Sequence, residues 1–277
     1  MIPFTKLHGN GNDFILIDEY HGTVVTDENK ADFASTYCNR RFGIGADGVL
    51  FLSSNRFADI GMRLFQPDGT EAEMCGNGIC CIVKYAVDAG YVQIGKISVN
   101  TLSGILDVRT QRTENRQLLI TVNMGRPLYD RPSIPAEGGG ELINQELHGF
   151  MVSAVNTGVP HAVVFTKHLK ALSLLETATK IRYDPLFPNG TNVNFVEVHS
   201  TDEISIRTYE RGVEAETLSC GTGSVASASV ANRLKKTGDK VLVRTMGGQL
   251  RITLEDDTAY MEGSAETVFK GEILTTT

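Results

Sequence analysis

Positive charge is in short supply along this chain. Lys and Arg number 26 against 33 Asp and Glu, for a formal net charge of −7. A protein whose main partner is nucleic acid needs a basic surface to neutralise phosphates, so that class is excluded, and the acidic surplus serves solubility. Also absent is any run near the roughly 20 apolar residues that cross a bilayer. The opening stretch MIPFTKLHGN has no basic leader followed by an apolar segment. The expectation is a cytoplasmic protein with no membrane partner. Cysteine is sparse and odd in number: Cys38, Cys75, Cys80, Cys81 and Cys220. Such a set is not a disulfide framework. Without a CxxC pair it is not a structural zinc site either. The glycine-rich stretch HGNGND precedes a strand pattern and opens no helix, which excludes a dinucleotide-binding turn. No cofactor and no metal are expected.

What is present points to two domains. The chain has 277 residues, 41% of them apolar, which is long for one domain and sufficient for two cores. It also repeats once. CGNGICCIVKYAVDAG, leading to VNTLSGILDV, is matched by CGTGSVASASVANRLKKTGDK, leading to VRTMGGQLRI. In each copy Cys-Gly-x-Gly opens an apolar stretch, and a VxTxxGxL pattern follows. The cysteines are 145 positions apart and the threonines 144, and upstream IGMRLF (60–65) matches ISIRTY (204–209), also at 144. A single repetition at that spacing is a duplicated domain. The apolar residues after Cys75 and after Cys220 fall at helical spacing, with Gly90 and Gly238 as the expected closing glycines. Short strands fill most of the rest: FILID, QLLITVNM, AVVF, NFVEV, KVLVRT and QLRITLE. The reading is an α/β (α+β) chain of two similar domains, each with one central helix wrapped by strands. RPSIPAEGGGE (131–141) reads as a loop in the second half.

Cysteine at the start of a helix is chemically distinctive. The helix N-terminus presents unpaired N–H groups and about half a positive charge. A carboxylate can dock there, and glycine lets it come close. A thiolate is favoured there too, so the thiol titrates nearer neutrality. One such element is weak evidence, but one in each half of a duplicated chain is much stronger. Two such cysteines facing one carbon from opposite sides suit inversion of a stereocentre. One removes a proton as base while the other supplies one as acid.

FTKLHGNGNDF (4–14), RFGIGADG (41–48), PDGTEAEMCGNG (67–78), NTGVPHAVVF (156–165), GTNVNFV (190–196), YERG (209–212), ETLSCGTG (216–223) and ETVFKG (266–271) occur in the order and spacing of one family. Over nearly its whole length the chain resembles the diaminopimelate epimerases. The resemblance implies two pseudosymmetric domains, each a barrel-like sheet around a central helix: 1–120 with 266–277, and 121–265. It implies cofactor-independent interconversion of LL- and meso-2,6-diaminopimelate, a step toward lysine and peptidoglycan precursors. The expected partner is that small molecule, with a homodimer left open. By position, Cys75 and Cys220 resemble the acid/base pair, and His161 and Glu210 the neighbours that tune them. Asn12, Asn192, Glu210 and Arg211 resemble substrate contacts. Gly76 with Asn77, and Gly221 with Thr222, resemble the two anion sites.

Four positions depart from the family pattern. Gln66 stands where asparagine is usual and keeps the amide for substrate on a longer arm. Val159 replaces a common asparagine, Cys80 replaces a common arginine, and one extra residue precedes Cys220. Taken alone, Asn12 reads as a turn residue, His161 as a loop histidine and Glu210–Arg211 as a surface pair. The competing functions are another two-cysteine racemase on this fold, an amino-acid-binding protein and a thiol redox sensor.

Overall fold

The structure, a computed structural model, describes residues 1–274. The chain divides into two compact units: Met1–Val122 with the described residues from Gly263 onward, and Asn123–Glu262. The sequence places these limits at 120/121 and 265/266, and residues 275–277 of the expected 266–277 segment lie outside the described residues. Four α-helices occur among the described residues: α1 (Lys30–Tyr37), α2 (Gly76–Asp88), α3 (Leu174–Arg182) and α4 (Gly221–Arg233).

The two units follow one strand order. In the first, Ile2–Gly9 pairs antiparallel with Asn12–Glu19, which runs parallel to Gly48–Ser53. Gly48–Ser53 pairs antiparallel with Ile60–Phe65, which joins Lys96–Thr101 in parallel and leads to Gly104–Arg112. In the second, Phe150–Asn156, Pro160–Phe165, Asn192–Val198, Glu203–Glu210, Lys240–Arg244 and Gln249–Glu255 repeat those pairings and directions. An outer strand completes each set. Gln145–Leu147 does so in the second unit, and Glu266–Ile273 from the far end of the chain does so in the first.

The repeated sequence motifs have matching structural jobs. In each VxTxxGxL the threonine hydroxyl donates to the glycine carbonyl across the hairpin turn, Thr101 to Gly104 at 2.8 Å and Thr245 to Gly248 at 3.0 Å. The shared arginine of IGMRLF and ISIRTY makes a two-pronged ion pair with the neighbouring short strand. Arg63 holds Glu71 at 2.6 and 2.9 Å, and Arg207 holds Glu216 at 2.6 and 2.8 Å.

The central helices are enclosed. Helix α2 packs against Ile2–Gly9, Asn12–Glu19, Gly48–Ser53 and Ile60–Phe65, and residues 76–83 are buried without a break. A helix covered on every side cannot keep a polar face, which is why GICCIV is apolar throughout. Helix α4 touches six strands of its unit and is buried from Ser224 through Ala231. Its side chains there are mostly Ser and Ala, short enough for the strands to close around the backbone.

Two further helices, α1 and α3, have no counterpart in the sequence reading. They cover the other face of the strands. Phe33 and Ala34 of α1 pack with Ile15, Ile17, Val49 and Phe51. Leu174, Ala178 and Ile181 of α3 pack with Ala162, Phe195 and Tyr209. Strands covered on both faces become continuous apolar runs, and Phe14–Ile17 is buried at every position. The α1 segment KADFASTY buries only three residues, too few to mark a helix by periodicity.

The helix ends also refine the expectation. Gly90, at φ +79°, closes α2, and the Tyr91 N–H returns to the Ala86 carbonyl at 2.9 Å. Helix α4 closes three residues before Gly238: Lys235 takes the left-handed position at φ +56°, and the Lys236 N–H bonds the Ala231 carbonyl at 2.9 Å. A side chain in that conformation costs roughly 1–2 kcal/mol where glycine costs little. Lys235→Gly is therefore expected to raise the unfolding free energy by about 1 kcal/mol, read as a higher urea midpoint with an unchanged slope. A lowered midpoint would contradict this account of the helix end.

Candidate active site

In the first unit, Cys75 is the residue before α2 and holds an extended backbone, φ −145° and ψ 118°. Its carbonyl accepts the first helical N–H, from Ile79, at 2.8 Å. The Cys75 Sγ lies 3.6 Å from the Asn12 Oδ1, which also accepts from the Asn77 Nδ2 at 3.3 Å. Asn12 opens the strand Asn12–Glu19, and its Nδ2 donates to the Asp47 Oδ2 at 2.8 Å. Asp47 is gripped in turn by Arg40 at 2.7 Å, and the same guanidinium holds Asp13 at 2.7 and 3.2 Å. Lys6, buried on the neighbouring strand, pairs with Asp13 at 2.6 Å. Gly9 lets the first strand approach, since a Cβ there would lie 3.3 Å from that of Asn77.

In the second unit, Cys220 precedes α4 with φ −125° and ψ 115° and is almost fully buried. Its Sγ accepts the Gly223 N–H at 3.4 Å and lies 3.4 Å from the Thr222 Oγ1. That hydroxyl is 2.9 Å from the His161 Nε2, and the His161 Nδ1 is 2.9 Å from the Asn194 Nδ2. Asn194 is completely buried; its Oδ1 accepts the Thr208 hydroxyl at 2.9 Å. The Thr157 hydroxyl donates to the Thr222 carbonyl at 2.9 Å, fixing the helix start from the adjoining loop. Gly223 has no room for a side chain, because a Cβ would stand 2.4 Å from the Asn194 Oδ1.

The other three cysteines sit in apolar surroundings. Burial pushes the Cys38 and Cys80 thiols up to about 12 and the Cys81 thiol well above its ordinary value. These three are structural. Burial and the charge of Arg211 lower His161 to about 3, so its imidazole is neutral at any ordinary pH. Arg211 is half-buried, and its Nη1 donates to the carbonyls of Asn189 and Gly190 at 3.2 and 3.4 Å. Among the described residues it makes no ion pair, while its neighbour Glu214 is taken by Arg182 at 2.6 Å. Burial and the charge of Arg182 hold the Arg211 guanidinium below its ordinary value, an environment that favours an anionic ligand.

The expected residues thus fall into two groups. Cys75, Gly76, Asn77 and Asn12 gather at the start of α2, and Cys220, Gly221, Thr222 and His161 gather at the start of α4. Asn192 ties the edge of the second group: its Oδ1 accepts the Arg211 N–H at 2.8 Å and its Nδ2 donates to the Pro160 carbonyl at 2.9 Å. Glu210 ends the strand Glu203–Glu210, and its carbonyl takes the Glu214 N–H at 2.8 Å. Gln66 braces its own turn, donating from Nε2 to the Thr70 Oγ1 at 3.3 Å. Val159 lies in the turn before Pro160, its carbonyl accepting the Thr157 N–H at 3.2 Å.

The sequence alone does not single out Asp47, Arg40, Asn194 or Thr208. Asp47 lies in the RFGIGADG segment (41–48), Arg40 stands immediately before it, and Asn194 is the second asparagine of GTNVNFV. Charged and amide residues inside those motifs were the available signal. A cavity of about 680 Å³ lined by Phe4, Asp18, His21, Tyr85, Lys270 and Glu272 holds none of the expected residues. Among the described residues no group of three His, Cys, Asp or Glu can hold a metal ion. Nor is any helix there long and apolar enough to cross a membrane.

The family profile described as "Diaminopimelate epimerase" matches residues 4–129 and 153–268. A Methanocella arvoryzae protein named diaminopimelate epimerase is 57% identical over 98% of this chain and 96% of its own length. A protein of that name from Archaeoglobus fulgidus is 50% identical over 98% of this chain and 95% of its own. Among solved structures, a Bacillus anthracis phenazine biosynthesis protein of the PhzF family superposes with TM-score 0.74 at 17% identity, covering 99% of each chain. A probable proline racemase from Agrobacterium radiobacter K84 superposes with TM-score 0.71 at 17% identity, covering 100% of this chain and 94% of its own. These two likenesses show the fold.

The buried neutral His161 sets a pH dependence. Unfolded, the histidine takes a proton near pH 6.5, but folded it resists until about 3. Between those values the unfolded state binds more protons, so stability is complete above 6.5 and falls as the pH is lowered. At pH 4.5 the loss is about 2–3 kcal/mol. His161→Gln is expected to flatten that slope, measured by urea unfolding at pH 7 and 4.5. An equal loss in both proteins would show that His161 is not its source.

Proposed function

We propose, from the premise that this chain belongs to the diaminopimelate epimerase family, that Cys75 and Cys220 are the acid and base of its reaction. That reaction interconverts LL- and meso-2,6-diaminopimelate by inverting one α carbon. The observation that carries this reading is the pair of equivalent cysteines, each placed immediately before an enclosed helix. The other three thiols are buried and raised out of reach of acid–base work.

The chemistry follows from the residues. An α proton is weakly acidic, and its removal puts negative charge on the carboxylate. First-turn N–H groups at Gly76–Asn77 and Gly221–Thr222 carry the partial positive charge that receives it. One cysteine, as thiolate, takes the α proton; the other, as thiol, gives its proton to the opposite face. In the reverse direction the roles exchange. Arg211 offers a planar fork to the substrate's second carboxylate, and Asn12 and Asn192 supply amides for its polar groups. Glu210 and Gln66 complete the proposed contacts.

This reading favours diaminopimelate over the smaller amino acids of other two-cysteine racemases. Proline and glutamate lack the distal amino acid group for which Arg211 and its neighbours provide polar partners. The expected partner is the small molecule, with no nucleic acid. The place of work is the cytoplasm, where reduced thiols persist.

The direct test incubates reduced protein with LL-diaminopimelate and resolves the stereoisomers by chromatography. Formation of the meso isomer is expected, and its absence would overturn the assignment. Alanine at Cys75 or at Cys220 is expected to abolish inversion in both directions. In heavy water each variant would still exchange deuterium into the isomer whose hydrogen meets the surviving cysteine, and the two variants would favour opposite isomers. Near-normal epimerisation by either variant would end the two-base reading. Arg211→Lys, which loses the fork and keeps the charge, is expected to raise KM for diaminopimelate about 10- to 100-fold. An unchanged KM would place the distal carboxylate elsewhere.

A further inference from the structure

The hydrogen bonds around the two cysteines differ in direction. At Cys75 the direction is read from Asn12. The Asp47 carboxylate can only accept, so the amide edge 2.8 Å from it must be Nδ2. The carbonyl Oδ1 then faces the Cys75 sulfur at 3.6 Å. An acceptor in that position is satisfied by a thiol proton and repels a thiolate.

At Cys220 the direction is set farther away, by Asn194. One of its amide atoms lies 3.3 Å from the Ala162 carbonyl, which can only accept, so that atom is Nδ2. The other atom is then the carbonyl oxygen, and it receives the Thr208 hydroxyl at 2.9 Å. The same Nδ2 therefore donates its second proton to the His161 Nδ1 at 2.9 Å. With Nδ1 accepting, the ring proton sits on Nε2 and is donated to the Thr222 Oγ1 at 2.9 Å. The threonine's own proton is left to point at the Cys220 Sγ, 3.4 Å away. Together with the Gly223 N–H, two donors converge on that sulfur. Donors stabilise the charged form and here oppose the burial of Cys220, which favours the thiol. The deep burial of His161 keeps the ring neutral and the relay in this one arrangement.

We infer that the ligand-free protein is asymmetric, with Cys220 holding the thiolate and Cys75 the thiol, and that Asn194 and Thr208 are positioning residues that impose this through His161 and Thr222. The inference rests on the acid–base pair proposed above and deepens it. The empty protein is then ready for the isomer whose α hydrogen meets Cys220. Turnover moves that hydrogen, as a proton, onto the Cys220 sulfur and the Cys75 proton onto carbon. Product leaves behind a Cys220 thiol and a Cys75 thiolate. The resting state returns when Cys220 loses a proton to solvent and Cys75 gains one. The opposite isomer is processed directly by the form that has just released product.

The test needs no substrate. Reduced, ligand-free protein is pulsed with iodoacetamide at pH values from 5 to 10, and carbamidomethylation at each cysteine is quantified by peptide mass spectrometry. The pH midpoint of alkylation reports the thiolate, whereas accessibility alters only the plateau rate. The Cys220 midpoint is expected at least about one pH unit below that of Cys75. Thr222→Val is expected to raise the Cys220 midpoint by about one unit and leave Cys75 unmoved, with Thr222→Ser restoring it. Asn194→Asp, whose carboxylate accepts from Nδ1 and so moves the ring proton off Nε2, is expected to raise the Cys220 midpoint as well. Asn12→Leu is expected to lower the Cys75 midpoint. Equal midpoints, or Cys75 below Cys220, in the unmodified protein would overturn the inference, and so would an unmoved Cys220 midpoint in Thr222→Val. Because alkylation is read without turnover, a failed epimerase assay and a failed midpoint order are separate results.

Discussion

A helix walled in by its own strands can hydrogen-bond its backbone internally everywhere except at its ends. Its first-turn N–H groups have no partner within the helix. In both units of this protein the helix start meets a Cys-Gly-x-Gly turn, and glycine puts no side chain of its own over that backbone. The same enclosure demands that the helix be apolar or small-sided along its length, as GICCIV and SVASASVA are. It also places the one chemically reactive side chain of each motif at the end where partial positive charge is concentrated. The site chemistry and the core packing therefore follow from one constraint.

Holding that arrangement requires polar groups inside the units, and they are paired. Asp47 with Arg40 and Asp13 sets Asn12 beside Cys75; Thr208 and Asn194 set His161 beside Thr222. A buried polar group left without a partner costs about 1–3 kcal/mol, so each network resists the loss of any one member. The two networks differ in composition. The first is built on charge pairs near the surface, the second on neutral groups in full burial. Equivalent positions in a duplicated fold thus impose different hydrogen-bond directions on their cysteines.

The fold itself is shared more widely than any one activity. A PhzF-family protein and a probable proline racemase superpose on this chain at 17% identity. The side chains proposed for the site of this chain stand at the helix starts and at Asn192, Glu210 and Arg211. Substrate class is read from such side chains and not from strand order.

The duplication, the enclosed helices and the cysteine standing before each of them were legible in the sequence because each rests on local chemistry. Cys-Gly-x-Gly marks a helix start, unbroken apolar spacing marks burial, and VxTxxGxL encodes a hairpin clasp between residues three apart. The outer helices α1 and α3 were not legible: KADFASTY buries three side chains and carries no clear period. Nor was the closure of α4 at Lys235, where backbone bonding overrode the preference for the glycine three residues on. The partners of Asn12 and His161 were beyond sequence reading for a different reason. Asp47 lies 35 positions from Asn12, and Asn194 lies 33 from His161. Which atom of an amide faces a sulfur, and which ring nitrogen carries the proton, depend on distances across neighbouring strands. Those distances exist only once the strands have paired in register around the helix.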